Sequence, residues 1–270
     1  MSVHSHNTHY LRQHLTDILQ WDVYTWKKAL YYWDAVLDTW SERSRGLQGS
    51  QELQDPQGPQ GTQELQVSQG PQGTQELQGL RALEIGARDG GLSLYLAQKG
   101  VQVTCSDIDE PAARARELHH QYGLDSLIGY AAIDATAIPF NDDSFDLVIF
   151  KSMLGAVGQF KGIPAVDTVI NEVRRILKPG GLVLFAENQE GSRFHAWARH
   201  RFMPWGSTYY YIPQHEIIRL FSVFTVFEFK TYGFLACVKK DFLPLAILDH
   251  LICLSKRSKS NYMVYGFAIK

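Results

Sequence analysis

The sequence predicts an α/β fold: a mostly parallel seven-stranded sheet with helices on both faces, preceded by an N-terminal helical cap. Three observations carry that expectation. From residue 80 onward short apolar runs alternate with helical patterns, the signature of parallel strands joined by crossover helices. The 270 residues are 45% hydrophobic and 12% aromatic, enough for a substantial core. The third observation is a break in composition, where QGSQELQ at Gln48–Gln54 returns as QGTQELQ at Gln60–Gln66 and Gln72–Gln78, a period of 12. This Gln/Gly/Pro-rich tract, 47–79, offers too little apolar surface to offset the entropy of ordering it and reads as a disordered linker. It separates a cap at 1–46 from a main domain at 80–270.

In the cap, Leu11, Leu15, Ile18 and Leu19 share one helical face, and Trp26, Leu30, Trp33, Leu37 and Trp40 continue a second stripe after a turn at Asp22–Trp26. Such stripes are packing surface; closure of the helix pair over a ligand pocket is the alternative. Strand one is Arg81–Ile85, followed by a helix over Leu92–Lys99 and strand two at Val101–Ser106. A helix over Pro111–Tyr122 leads to strand three near Ile128–Ile133, and the polar turn PFNDDSFD precedes strand four at Leu147–Phe150. A helix near Val166–Leu177 is expected to stop at the glycines of KPGG before strand five, Leu182–Ala186. FSVFTVFEFK and NYMVYGFAIK supply the last two strands, and insertions at about 189–215 and 241–259 are expected to cap the substrate side.

Ligands of open sheets bind beyond the carboxyl ends of the strands. There the first loop, ALEIGARDGG at 82–91, fails as a dinucleotide turn, because Arg88 replaces the middle glycine and Glu84 would face the pyrophosphate. A carboxylate suits a cationic ligand instead, and S-adenosylmethionine offers an ammonium and a sulfonium without any phosphate. Asp107, at the end of strand two, suits a pair of ribose hydroxyls, and Asp134, after strand three, an adenine amino group.

With these pieces in order, LEIGARDGG, VTCSDID, IDATAIPFNDDSFDLVIFKS and INEVRRILKPGGLVLFAEN, the chain resembles the class I S-adenosylmethionine-dependent methyltransferases in their small-molecule branch, over about residues 80–188. The departure is Arg88 in the family's E/D-x-G-x-G-x-G. The resemblance implies a Rossmann-like domain and a cofactor site built from Glu84, Gly86, Ala87, Arg88, Gly90, Asp107, Ile108, Asp134, Ala135 and Lys151.

The reaction is less marked than the cofactor. The methyl on sulfur is already activated, so positioning supplies much of the catalysis and a base is needed only for a hydroxyl acceptor. The segment after strand five holds the candidates for that base, His195, His200, His215 and Glu187, with His195 nearest the strand end. Trp197, Trp205 and Tyr209–Tyr211 are candidate walls of an acceptor pocket. These residues point to methyl transfer to a small-molecule or saccharide acceptor at oxygen. A non-catalytic methyltransferase-like scaffold and an NAD-dependent oxidoreductase are the competing classes.

A formal net charge of −2 argues against a nucleic-acid partner. Cys105, Cys237 and Cys253 are odd in number and far apart, as in a reducing compartment, and give neither a disulfide framework nor a zinc site. The polar N-terminus has no apolar core of an export signal, which leads to a cytoplasmic expectation. His4, His6 and His9 read as a polar tail, and no metal is assigned. The helix Phe242–Leu254, flanked by Lys239, Lys240, Lys256, Arg257 and Lys259, is read as a lid over the acceptor site or, alternatively, as a peripheral membrane contact through 241–259.

Overall fold

The computed structural model describes residues 14–19, 23–52, 77–111, 113–202, 209–235, 242–253 and 260–270. Most of the repeat tract, the histidines of the N-terminal tail, Trp205 and the five basic residues flanking Phe242–Leu254 lie outside them. Residues 14–19 (α1) and Val23–Glu52 (α2) are helical. The expected turn is corrected here, because Val23–Trp26 already belong to α2, and the helix continues past the expected cap boundary into the first repeat copy.

The sheet comprises β1 (Arg81–Ile85), β2 (Gln102–Asp107), β3 (Ile128–Ala132), β4 (Phe145–Lys151), β5 (Leu177–Asn188), β6 (Val226–Tyr232) and β7 (Met263–Ile269), in spatial order β3-β2-β1-β4-β5-β7-β6. Among the described strands only β7 runs against its neighbours. The crossover helices are α3 (Gly91–Ala97), α4 (Ala113–Gln121), α5 (Leu154–Lys161) and α6 (Ile163–Ile176). Beyond β5 come α7 (Arg193–Phe202), α8 (Gln214–Phe221) and α9 (Leu243–Cys253). The expected helix stop at KPGG is also corrected: α6 ends at Ile176 and Lys178-Pro-Gly-Gly already lies in β5. A register shift between Phe145 and Leu147 of β4 absorbs these residues.

The period-2 alternation of buried strands sends side chains to two cores. Ala82, Leu182, Leu184 and Ala186 face α2 and α3, whereas Leu83, Ile85, Val183 and Phe185 face α6 and α8. The tryptophan stripe of α2 belongs to the first core. Trp33 Nε1 donates to the Gly266 carbonyl at 3.2 Å and Trp40 Nε1 to the Gly180 carbonyl at 2.9 Å, so the helix is a layer on β5 and β7. Asp34 adds an ion pair to Lys99 at 2.7 Å and accepts from Tyr95 Oη at 2.8 Å. Apolar packing and polar ties thus both bind the N-terminal helix to the sheet.

The β1–α3 loop turns through left-handed conformations at Gly86 (φ 72°), Arg88 (φ 51°) and Gly90 (φ 75°). Arg88 therefore takes up the backbone geometry that glycine adopts freely, held by its N–H to Asp107 Oδ2 at 2.8 Å. Gly90 has a second constraint, because a Cβ there would lie 2.6 Å from His119 Cε1, whose ring bonds the Gly90 carbonyl.

Two outcomes follow for stability. Trp33→Ala removes a buried ring from the sheet core and should lower the unfolding free energy by about 3–5 kcal/mol in urea titrations; a loss below about 1 kcal/mol would mean that α2 is dispensable to the sheet. Arg88→Gly relieves about 1 kcal/mol of left-handed strain and should unfold at the same or a higher urea midpoint. A clearly lower midpoint would show that the guanidinium, and not the backbone alone, supports the loop.

Candidate cofactor and acceptor site

A cavity of about 570 Å³ opens at the carboxyl ends of β1, β2 and β4. That volume lies within the range of small-molecule sites. Its wall contains nine of the ten residues expected to hold a cofactor: Glu84, Gly86, Ala87, Arg88, Asp107, Ile108, Asp134, Ala135 and Lys151. The tenth, Gly90, stands behind the wall and fixes the loop through His119.

Glu84 is almost fully buried and points to α3, as its even position in β1 dictates. Its carboxylate accepts from Leu92 N–H at 3.3 Å, from Ser93 N–H at 2.8 Å and from the Ser93 hydroxyl. Burial pushes its carboxyl up to about 7, against the opposing effects of those bonds and of the nearby Lys151. Asp107 accepts from Arg88 N–H and Ile108 N–H, each at 2.8 Å on a different oxygen, leaving each oxygen a lone pair for a hydroxyl donor. Asp134 is held down to about 2, chiefly by Lys161, with Thr136 donating both its hydroxyl and its N–H.

Further parts of the wall come from the β4–α5 segment beyond Lys151, which the sequence did not mark as a site, and from the N-terminal helices, for which closure over a pocket was the alternative expectation. Ser152, Met153, Val157, Phe160 and Lys161 come from the β4–α5 segment, and Ile18 and Trp26 from the N-terminal helices. Packing and pocket closure are therefore both roles of the cap. Its approach to the loop is close: a Cβ on Gly91 would lie 2.0 Å from the Ile18 carbonyl oxygen. Lys151 donates to the Leu19 carbonyl and sits 5.1 Å from the Trp26 ring centroid, tying the cap to the end of β4. Ile108, Ile133, Met153, Val157 and Phe160 give the cavity an apolar side suited to an aromatic base.

The three histidines expected as bases are placed elsewhere. His195 is buried, with Nε2–H donating to the Phe234 carbonyl at 2.7 Å and Nδ1 accepting from Ser192 N–H at 3.0 Å and Ser192 Oγ at 2.8 Å. Burial pulls its pKa down to about 4, and it joins α7 to the chain after β6 without lining the cavity. His200 and His215 are exposed on α7 and α8 and do not line it either. Of the candidate acceptor walls Tyr209 lines the cavity, whereas Trp197, Tyr210 and Tyr211 do not.

Glu187 is fully buried directly behind the cavity. Its carboxylate accepts Leu154 N–H at 2.7 Å at the start of α5 and lies 3.5 Å from Tyr209 Oη, which also donates to the Ser152 carbonyl at 3.1 Å. Burial pushes Glu187 up to about 7, offset in part by N–H groups of Leu154, Gly155 and Met153. The tyrosine fits because α5 has no side chain in its way: a Cβ on Gly155 would lie 2.3 Å from Tyr209 Oη. The repeat of glycine at 155 and 158 was the available sequence signal for this contact.

Residues 83–185 match the family model described as a methyltransferase domain. A glycine/sarcosine/dimethylglycine N-methyltransferase from Actinopolyspora halophila is 35% identical over 109 residues, 40% of this chain and 18% of that protein. A fatty-acid O-methyltransferase from Mycolicibacterium smegmatis is 30% identical over 125 residues, 45% of this chain and 42% of its own length. The chain thus spans less than half of either relative. Among solved structures, the Haemonchus contortus phosphoethanolamine N-methyltransferase 2 in complex with S-adenosyl-L-methionine shares the fold, with a TM-score of 0.52, 22% identity and coverage of 72% of this chain and 49% of that one. Motif order, sheet order and family match agree, and the chain carries a domain of the class I S-adenosylmethionine-dependent methyltransferase family.

Proposed function

We propose that the protein transfers the methyl group of S-adenosylmethionine to a small-molecule acceptor, and that the atom methylated is an oxygen. The observation that carries the cofactor is the engagement of Glu84. The first N–H groups of α3, which a dinucleotide's pyrophosphate would need, are occupied by this carboxylate, and an anion there would meet like charge. The same carboxylate favours an ammonium, Asp107 favours vicinal hydroxyls, and the apolar side accepts an adenine. When bound, the cofactor supplies a methyl group already activated on a sulfonium.

The oxygen acceptor rests on Tyr209 and Glu187, since the histidines lie off the cavity and the relatives act, by their names, on amines and on a fatty acid. Tyr209 reaches the cavity with its hydroxyl poised between the Ser152 carbonyl and Glu187. Burial holds its own pKa well above the ordinary phenol value, so it works as a neutral relay. An acceptor hydroxyl gives its proton to the Tyr209 oxygen while Tyr209 passes its own to ionised Glu187, a group that titrates near neutrality. Glu187 is thereby kept as the base candidate, acting through the tyrosine.

Calorimetry should give binding of S-adenosylmethionine and no heat with NAD. Because Glu84 titrates at about 7, affinity for the cationic ligand should tighten by about tenfold between pH 6 and 8, and Glu84→Gln should abolish that dependence. Binding of NAD alone would remove the assignment. For the chemistry, release of S-adenosylhomocysteine would be followed over a panel of phenols, sugars and fatty alcohols. Turnover should rise as pH passes through about 7, and Tyr209→Phe should cut it by roughly tenfold to a hundredfold with cofactor affinity within about twofold. Full turnover in both Tyr209→Phe and Glu187→Gln would rule out the relay.

A further inference from the structure

The helix α9 is apolar over most of its surface and exposes much of it. Its buried side carries Asp249, whose Oδ1 accepts Phe234 N–H at 2.6 Å and Leu235 N–H at 2.7 Å, anchoring the helix to the chain after β6. Its outer side carries Leu243, Ile247, Leu248 and Leu251, exposed by 51, 56, 45 and 58%. The spacing 243, 247, 251 with 248 beside it is one continuous helical face. A contiguous apolar face of this kind marks an interaction surface.

The lid reading would turn these side chains toward the acceptor, yet no residue of α9 lines the cavity. Sequence charge identifies what they face. Lys239, Lys240, Lys256, Arg257 and Lys259 bracket the helix with five cations, in a chain whose net charge is −2. A second copy of the chain meeting this face across a two-fold axis would bring like charges together. Apolar residues flanked by lysine and arginine instead complement an anionic bilayer, with acyl chains below and phosphates around.

Topology adds the orientation. In the register Tyr232 and Asn188 both flank Met263, so β6 ends at the same sheet edge as β5, and α9 rises from the edge where the cavity opens. We infer that the outer face of α9 docks the protein onto an anionic lipid bilayer, with the cavity edge of the sheet turned toward the membrane. This inference does not depend on the methyl-transfer chemistry.

The full chain would be floated with vesicles of phosphatidylcholine alone or mixed with phosphatidylglycerol. Association is expected with the mixed vesicles, weakened by salt. It should fall at least about tenfold in Ile247→Asp/Leu251→Asp and in Lys256→Glu/Arg257→Glu. Ile247 and Leu251 do not line the cavity, and each double variant should bind S-adenosylmethionine as the wild type does, which separates lost docking from lost folding. A wild-type chain that floats but binds no S-adenosylmethionine would overturn the proposed function and leave the docking face standing. The inference is overturned by no association with the mixed vesicles, by equal association of the variants, or by a dimer in solution that Ile247→Asp/Leu251→Asp dissociates while lipid is ignored.

Discussion

The bond between Glu84 and the start of α3 is the constraint on which the site depends. One carboxylate at the end of a central strand satisfies the N–H groups of Leu92 and Ser93 that the helix itself leaves without partners. It thereby fixes how the loop turns, which brings Arg88 N–H to Asp107 and Gly90 against His119. The same placement makes the cavity hostile to phosphate and receptive to positive charge. Fold and ligand preference are here set by one buried acid, whose titration near neutrality reflects its removal from water.

Much of this was legible because strands and their ends write themselves plainly in sequence. Apolar runs closing on Glu84, Asp107 and Asp134 located three strands and the acids at one edge, and the cavity indeed gathers all three. The tryptophan stripe of the cap was equally readable, although its periodicity cannot say which surface covers it. What stayed hidden depends on contacts distant in sequence. LGAVGQFK carries two glycines and reads as a poor helix, yet α5 forms because Glu187 caps its start and Tyr209 and Tyr210 fill the space over those glycines. His195 looked like a base by its position and proved to be a strut, since only the fold brings the Phe234 carbonyl to its ring.

Glu187 and α5 together show how a second layer supports the cavity. The odd positions of β5 face the α6 side, so Glu187 projects beneath the β4–α5 turn and gathers its N–H groups. Ser152, at φ 55°, is held in a left-handed conformation in that turn, and Tyr209 closes over it. Such backbone geometry persists only where the surroundings over-determine it. Arg199 does comparable work at the next segment, donating to the Glu190 and Gln189 carbonyls at 2.7 and 2.9 Å and stacking 3.6 Å from the Tyr211 centroid.

The single antiparallel strand has a consequence for how such a protein diversifies. Because β7 enters the sheet from the cavity edge and leaves it at the opposite one, the 30 residues from 233 to 262 form a closed excursion whose two ends sit side by side, Tyr262 N–H bonding the Gly233 carbonyl at 2.8 Å. A segment with adjoining ends can be lengthened, shortened or exchanged without altering any strand register. What the protein presents to its surroundings is thereby modular, free to vary while the machinery that holds the cofactor edge of the sheet stays as it is.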